Sequence, residues 1–151
     1  EKRTDVISQR REMQNRIRSG DSLILFPEGT TSNGGGVLPF KSSLFGVTEE
    51  YIHPVTSDGY PQELMIQPVT LIYKRINNMP STRSSRPSVA WYGDMEIGKH
   101  FNDFLQLLSV DVEVHFHEPV SRNLFKTRKE LAAYCHRTVE KKMIERIRRA
   151  R

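Results

Sequence analysis

One cysteine, Cys135, stands among 151 residues. A lone thiol excludes an internal disulfide and fits a reducing compartment. No stretch approaches the roughly twenty consecutive apolar residues of a bilayer span, and no signal peptide opens the sequence. Any tie to a membrane is therefore expected to be peripheral or to lie outside these residues. No aromatic residues interleave the terminal arginines, which argues against a single-strand nucleic-acid binder. The chain is 36% hydrophobic and 27% charged, the balance of a soluble folded chain, and its length suffices for one core.

Charge is unevenly placed along it. Residues 1–19 hold six basic and three acidic side chains, residues 126–151 hold ten and three, and the middle holds seven against twelve. Basic ends around an acidic centre suit an anionic membrane surface or nucleic acid, although a solvated helical face produces the same pattern.

The spacing predicts an α/β chain. Residues 4–19 lack Gly and Pro, place Val6, Ile7, Met13 and Ile17 at loose helical intervals, and stop at Gly20. A buried strand is expected at 22–26, a helix at 40–51, a strand at 65–73 broken only by Pro68, a loop at 74–86 and a short strand at 88–92. Residues 110–116 alternate Val, Asp, Val, Glu, Val, His, Phe, the period of a strand with one wet face near a sheet edge. Their polar positions, with His117, line up Asp111, Glu113, His115 and His117. Alternation explains these residues without a metal, and no metal site is assigned. Residues 128–149 form a long helix whose Leu131, Cys135, Val139, Met143 and Ile147 recur every four positions, a core stripe.

The most informative segment is Phe26-Pro27-Glu28-Gly29-Thr30-Thr31-Ser32. Pro27 cannot donate to a sheet ladder and Gly29 permits a tight turn, so Glu28, Thr30 and Ser32 sit where a strand gives way to a loop. Short hydroxyls and backbone N–H groups at such a place converge on an anion, and the plainer alternative is a capped turn. The Asn33-Gly34-Gly35-Gly36 run lacks the ending of a nucleotide P-loop and reads as a flexible tip.

This segment resembles the Phe-Pro-Glu-Gly-Thr-Arg-Ser block of the glycerolipid acyltransferases that acylate lysophosphatidic acid or glycerol 3-phosphate. Leu38-Pro39-Phe40-Lys41 is similar to that family's Phe-Lys segment, Ile66-Gln67-Pro68-Val69-Thr70 to its fourth block, and Trp91-Tyr92-Gly93-Asp94-Met95 with the last helix to the tail of the bacterial enzymes. The resemblance implies a mixed central sheet flanked by helices, glycerol-3-phosphate acyltransferase-like, of which residues 1–151 are the C-terminal part of one domain. Thr31 stands where the family has Arg.

The family's catalytic His-x-x-x-x-Asp block precedes its Phe-Pro-Glu-Gly block, and no such block precedes Phe26 here. His53 and Asp58 have the interval, but they follow Glu28, and Pro54, Gly59 and Pro61 mark a surface loop. No catalytic residue is therefore assigned, and residues 1–151 alone are expected to be inactive. The resemblance implies acyl transfer from an acyl carrier protein or coenzyme A thioester to a lysophosphatidic-acid-like hydroxyl, with no cofactor, no nucleic acid, and a place on the cytoplasmic face of the inner membrane. Glu28, Gly29, Thr30, Thr31 and Ser32 would form the acceptor cradle and Pro68 its floor. Lys41, near the start of the expected helix, becomes the candidate phosphate cation in place of the missing Arg. A non-catalytic membrane-surface module or pseudoenzyme is the alternative, and a basic nucleic-acid binder the third reading.

Overall fold

The computed structural model describes residues 2–49 and 63–149. Its element order is α1 (Lys2–Arg18), β1 (Met65–Ile66), β2 (Val69–Ile76), β3 (Met79–Pro80), α2 (Ile97–Leu105), β4 (Val110–Phe116), β5 (Val120–Ser121) and α3 (Arg128–Arg149), with short 3-10 turns at Leu44–Thr48, Arg86–Ser88 and Arg122–Leu124. The α/β class expected from the sequence holds. Among the described residues the strands pair antiparallel in two small sheets, β1 with β5 and β3-β2-β4. The chain divides into two compact units.

The first unit comprises residues 1–29, 40–67 and 119–135. Helix α1 ends because Gly20 takes φ +91°, a left-handed cap that lets Asp21 N–H donate to Arg16 C=O at 3.0 Å. The core gathers where the first turns of α3 meet the Leu44–Thr48 turn. Leu131 is fully buried there with Phe45, Ala132 and Cys135, and Leu25, Phe40, Ile66, Phe125 and Tyr134 pack around them. Arg122 ties this unit together by donating from Nε to Thr48 Oγ1 at 3.1 Å and from its backbone N–H to Leu64 C=O at 2.9 Å. Burial pushes the Cys135 thiol up to about 11, so it stays protonated and acts as a small apolar side chain.

The second unit comprises residues 30–39, 68–118 and 136–151. Asn77 and Asn78, with φ 52° and 62°, make the two-residue turn between β2 and β3, because a hairpin turn matching strand twist needs positive φ at both positions and Asn tolerates it. Asn77 Oδ1 accepts from Leu108 N–H at 2.8 Å, so the same turn also fixes the entry to β4. In the register of β2 with β4, Val69 faces Phe116, Leu71 faces Val114 and Tyr73 faces Val112, while Thr70 faces His115 and Ile72 faces Glu113. Among the described residues β4 is an edge strand, as the alternation implied.

Asp111, beyond a register shift, is exposed as expected, but from Val112 onward the wet face is the opposite of the one expected. Leu71, Val114 and Phe116 are 48%, 47% and 63% exposed, whereas Glu113, His115 and His117 are half-buried and Thr70 is buried. The polar side chains lie inward because they bond one another and α3. Arg146 Nε donates to Glu113 Oε1 at 2.9 Å, Lys74 Nζ lies 3.7 Å from the same carboxylate, and Thr70 Oγ1 and His117 Nε2 share a hydrogen bond of 2.8 Å. Alternation alone cannot say which face is covered.

Glu113 makes this bridge sensitive to acid. Burial alone would raise its pKa, but the Arg146 hydrogen bond and the charges of Arg146, Lys74 and Lys142 hold it below its ordinary 4.5. A carboxyl with a lowered folded pKa stabilises fully above the unfolded value and loses that contribution as pH falls through the folded one. The urea midpoint of the native protein is therefore expected to fall faster than that of Glu113→Gln on acidification below pH 4.5. Parallel curves for the two proteins would show that the bridge contributes nothing.

Five expected elements differ in the structure. Residues 22–26 form no strand: Ile24 and Phe26 are 84% and 80% exposed, and no neighbouring strand among the described residues pairs with them. The expected helix at 40–51 is, as far as residue 49, only the five-residue 3-10 turn, and residues 50 and 51 lie outside the described residues. Pro68, having no N–H, splits the expected strand at 65–73 into β1 and β2, which pair in different sheets. Residues 74–86 begin as the end of β2, its turn and β3, and residues 88–92 contain no strand. Helix α2 was not foreseen. Helix α3 and β4 lie where the periodicity placed them, and Leu131, Cys135 and Val139 of the stripe are buried.

Candidate functional site

The Phe26-Pro27-Glu28-Gly29 turn is closed by the chain around it. Gly29 N–H donates to Phe26 C=O at 3.1 Å with Pro27 at the second position of the turn, where its fixed φ fits. Gly29 has φ +60°, a backbone conformation that favours glycine, and a β-carbon added there would lie 2.9 Å from Lys41 Cδ, so the Lys41 side chain would have to shift. Lys41 holds the turn from the other side, its N–H donating to Pro27 C=O at 2.8 Å and its Nζ to Gly29 C=O at 3.2 Å. Glu28 is half-buried on this turn.

The site residues divide between the two units: Glu28, Gly29 and Lys41 belong to the first, Thr30, Thr31, Ser32 and Pro68 to the second. Within the second, Thr30 and Thr31 are exposed. Ser32 Oγ accepts from Gly34 N–H at 3.3 Å, and Asn33 Oδ1 accepts from Gly35 N–H at 3.0 Å. These local bonds organise the glycine tip. Pro68 is buried, and its C=O accepts from His117 N–H at 3.0 Å, a strand contact to β4.

The picture of Lys41 at a helix N-terminus changes. The element after it is a short 3-10 turn, which has no α-helical macrodipole to favour an anion, and the Lys41 ammonium already donates to Gly29 C=O. Its clearest role in the structure is to latch the glutamate turn. His53 and Asp58 lie outside the described residues. Of the β4 residues, Glu113 is engaged by Arg146 and Lys74, and burial, then the neighbouring His115 and Lys142, hold His117 below its ordinary pKa.

One residue escaped the sequence reading. Arg86 is half-buried and lies over the glycine tip: β-carbons added at Gly34 and Gly35 would come 3.7 Å from its Cδ and 3.4 Å from its Nη1. A basic residue fifty positions from the loop carries no local signal.

Residues 1–72 match the family model described as Acyltransferase. The chain is a member of the glycerolipid acyltransferase family. It is 39% identical over 142 residues to the lyso-ornithine lipid O-acyltransferase of Brucella abortus (strain 2308), covering 94% of this chain and 50% of the relative. It is similar also to the proteins of the same description from Rhizobium meliloti (strain 1021), 34% identical over 88% of this chain and 44% of the relative, and Rhodobacter capsulatus, 36% identical over 93% and 47%. The chain thus spans about half the length of the curated relatives it matches. No solved structure matches it.

Proposed function

We infer that the protein containing this chain is an O-acyltransferase whose acceptor is a lyso-ornithine lipid, and that these residues supply the acceptor side of its site. The observation that carries the reading is the similarity to three lyso-ornithine lipid O-acyltransferases over 88% to 94% of the chain. Thr31 supports it. Ornithine carries a carboxylate and no phosphate, and Thr31 stands where the lysophosphatidate-type block has its Arg, so the head-group contacts at this position differ from those of that block.

In this reading the free hydroxyl of the lysolipid attacks the thioester carbonyl of an acyl carrier protein or coenzyme A donor. The new C–O bond forms as the C–S bond breaks, and the hydroxyl proton leaves through a general base to end on the thiol. The family's His-x-x-x-x-Asp block would supply that base, and it has no counterpart before Phe26 here. Glu28, on the turn fixed by Gly29 and Lys41, is the residue of the first unit assigned to orienting the acceptor, and Thr30, Thr31 and Ser32 are the hydroxyls of the second unit assigned to binding an oxyanion. Because the acceptor is a lipid, the enzyme meets it at a membrane surface, on the cytoplasmic face of the inner membrane, with the basic residues of 126–151 available to anionic head groups.

The test uses the purified full-length protein with a thioester donor and lyso-ornithine lipid. The expected product has gained one acyl chain that mild alkali releases, the mark of an ester. Thiol release without a lipid product, or an alkali-stable product, overturns the reading.

A further inference from the structure

We propose that Arg86 is the cation that receives the acceptor's oxyanion, the role the sequence had given to Lys41; this deepens the proposed function and rests on it. Three observations within the second unit carry the assignment. Arg86 lies against the tip formed by Gly34 and Gly35, in the same loop as Thr30, Thr31 and Ser32, its Cδ and Nη1 at contact distance, 3.7 Å and 3.4 Å, from the places that β-carbons on the two glycines would take. Its backbone is fixed, its N–H donating to Thr82 C=O at 3.1 Å and its C=O accepting from Ala90 N–H at 2.9 Å, so the side chain projects from an ordered 3-10 turn. Finally, among the described residues no carboxylate engages its guanidinium, in contrast to Arg10, Arg16, Arg128 and Arg146, each of which meets an acid.

A half-buried guanidinium without a carboxylate beside a hydroxyl-bearing loop is suited to an incoming anion. Its planar fork bonds a carboxylate or a phosphate in two places, and a charge-assisted pair is stronger than contacts from hydroxyls alone. The Lys41 ammonium, by comparison, is already bonded to Gly29 C=O. The ligand chemistry is an oxyanion, which the ornithine carboxylate or a lysophospholipid phosphate can present.

The experiment compares native full-length enzyme with Arg86→Ala, Arg86→Gln and Arg86→Lys. The acceptors are lyso-ornithine lipid and the same lipid with its carboxylate converted to the neutral amide. In the native enzyme the amide should raise the acceptor KM about tenfold or more, with kcat and the donor KM little changed. In Arg86→Ala and Arg86→Gln both acceptors should show that raised KM, and Arg86→Lys should recover part of the difference for the carboxylate alone. A purely structural Arg86 would lower kcat or raise both substrates' KM while leaving the carboxylate-to-amide ratio intact. That ratio surviving in Arg86→Gln overturns the proposal. If the enzyme uses only lysophosphatidate, the ornithine reading fails, and the acceptor KM of the Arg86 variants for lysophosphatidate then decides the role of Arg86 separately.

Discussion

Glu28→Ala in the full-length enzyme is expected to lower acyl transfer by about two orders of magnitude, the scale of losing one pre-organised polar contact at a reacting centre. The fold should survive. The turn that carries Glu28 is closed by Gly29 N–H on Phe26 C=O and by the two Lys41 bonds, all of which remain when the carboxylate is removed. Circular dichroism matching the native protein, with turnover reduced in both kcat and kcat/KM, is the predicted outcome. A folded Glu28→Ala enzyme of near-native activity would reduce Phe26 to Ser32 to a structural turn and remove the centre of the proposed site.

Leu131→Ala is expected to cost about 2–5 kcal/mol of stability, the range for truncating a fully buried aliphatic side chain. Leu131 is 0% exposed and belongs to the cluster of Phe45, Ala132 and Cys135, packed by Phe40 and Phe125, so few neighbours can move to fill the space. Against the roughly 5–15 kcal/mol by which domains of this kind are stable, that is a large fraction. Urea unfolding followed by helical circular dichroism measures it. A loss below about 1 kcal/mol would show that the start of α3 is not seated on the Phe45 cluster as described.

What could be read from the sequence was whatever local pattern decides alone. Helix α3 announced itself through a four-residue repeat and β4 through strict alternation, and Gly20 and Gly29 stand at positive φ where a helix end and a turn require it. What failed depended on partners. Residues 22–26 have the apolar character of a strand, but a strand exists only through a hydrogen-bonded neighbour, and none is present among the described residues. The covered face of β4 was set by Arg146 and Thr70, from distant segments. The Asn77-Asn78 turn was legible in principle, since consecutive residues tolerant of positive φ between apolar runs are a hairpin signal, yet the polar residues after it read as one loop. In the candidate site, the motif named Glu28 and the threonines, which the structure assigns to different units. Lys41 was placed near the turn but given the wrong element after it, and the nearness of Arg86 to the glycine tip comes from the fold and has no local signal in the sequence.

If the acceptor is lyso-ornithine lipid, as proposed, and Thr31 belongs to that choice, the enzyme prefers a phosphate-free head group. The most direct measurement is the ratio of kcat/KM for lyso-ornithine lipid over lysophosphatidate of matched chain length, with one donor, in native enzyme and in Thr31→Arg. The ratio is predicted to exceed about tenfold in the native enzyme and to narrow in Thr31→Arg as the guanidinium begins to favour phosphate. A native enzyme that uses lysophosphatidate as well as or better than lyso-ornithine lipid would contradict the account.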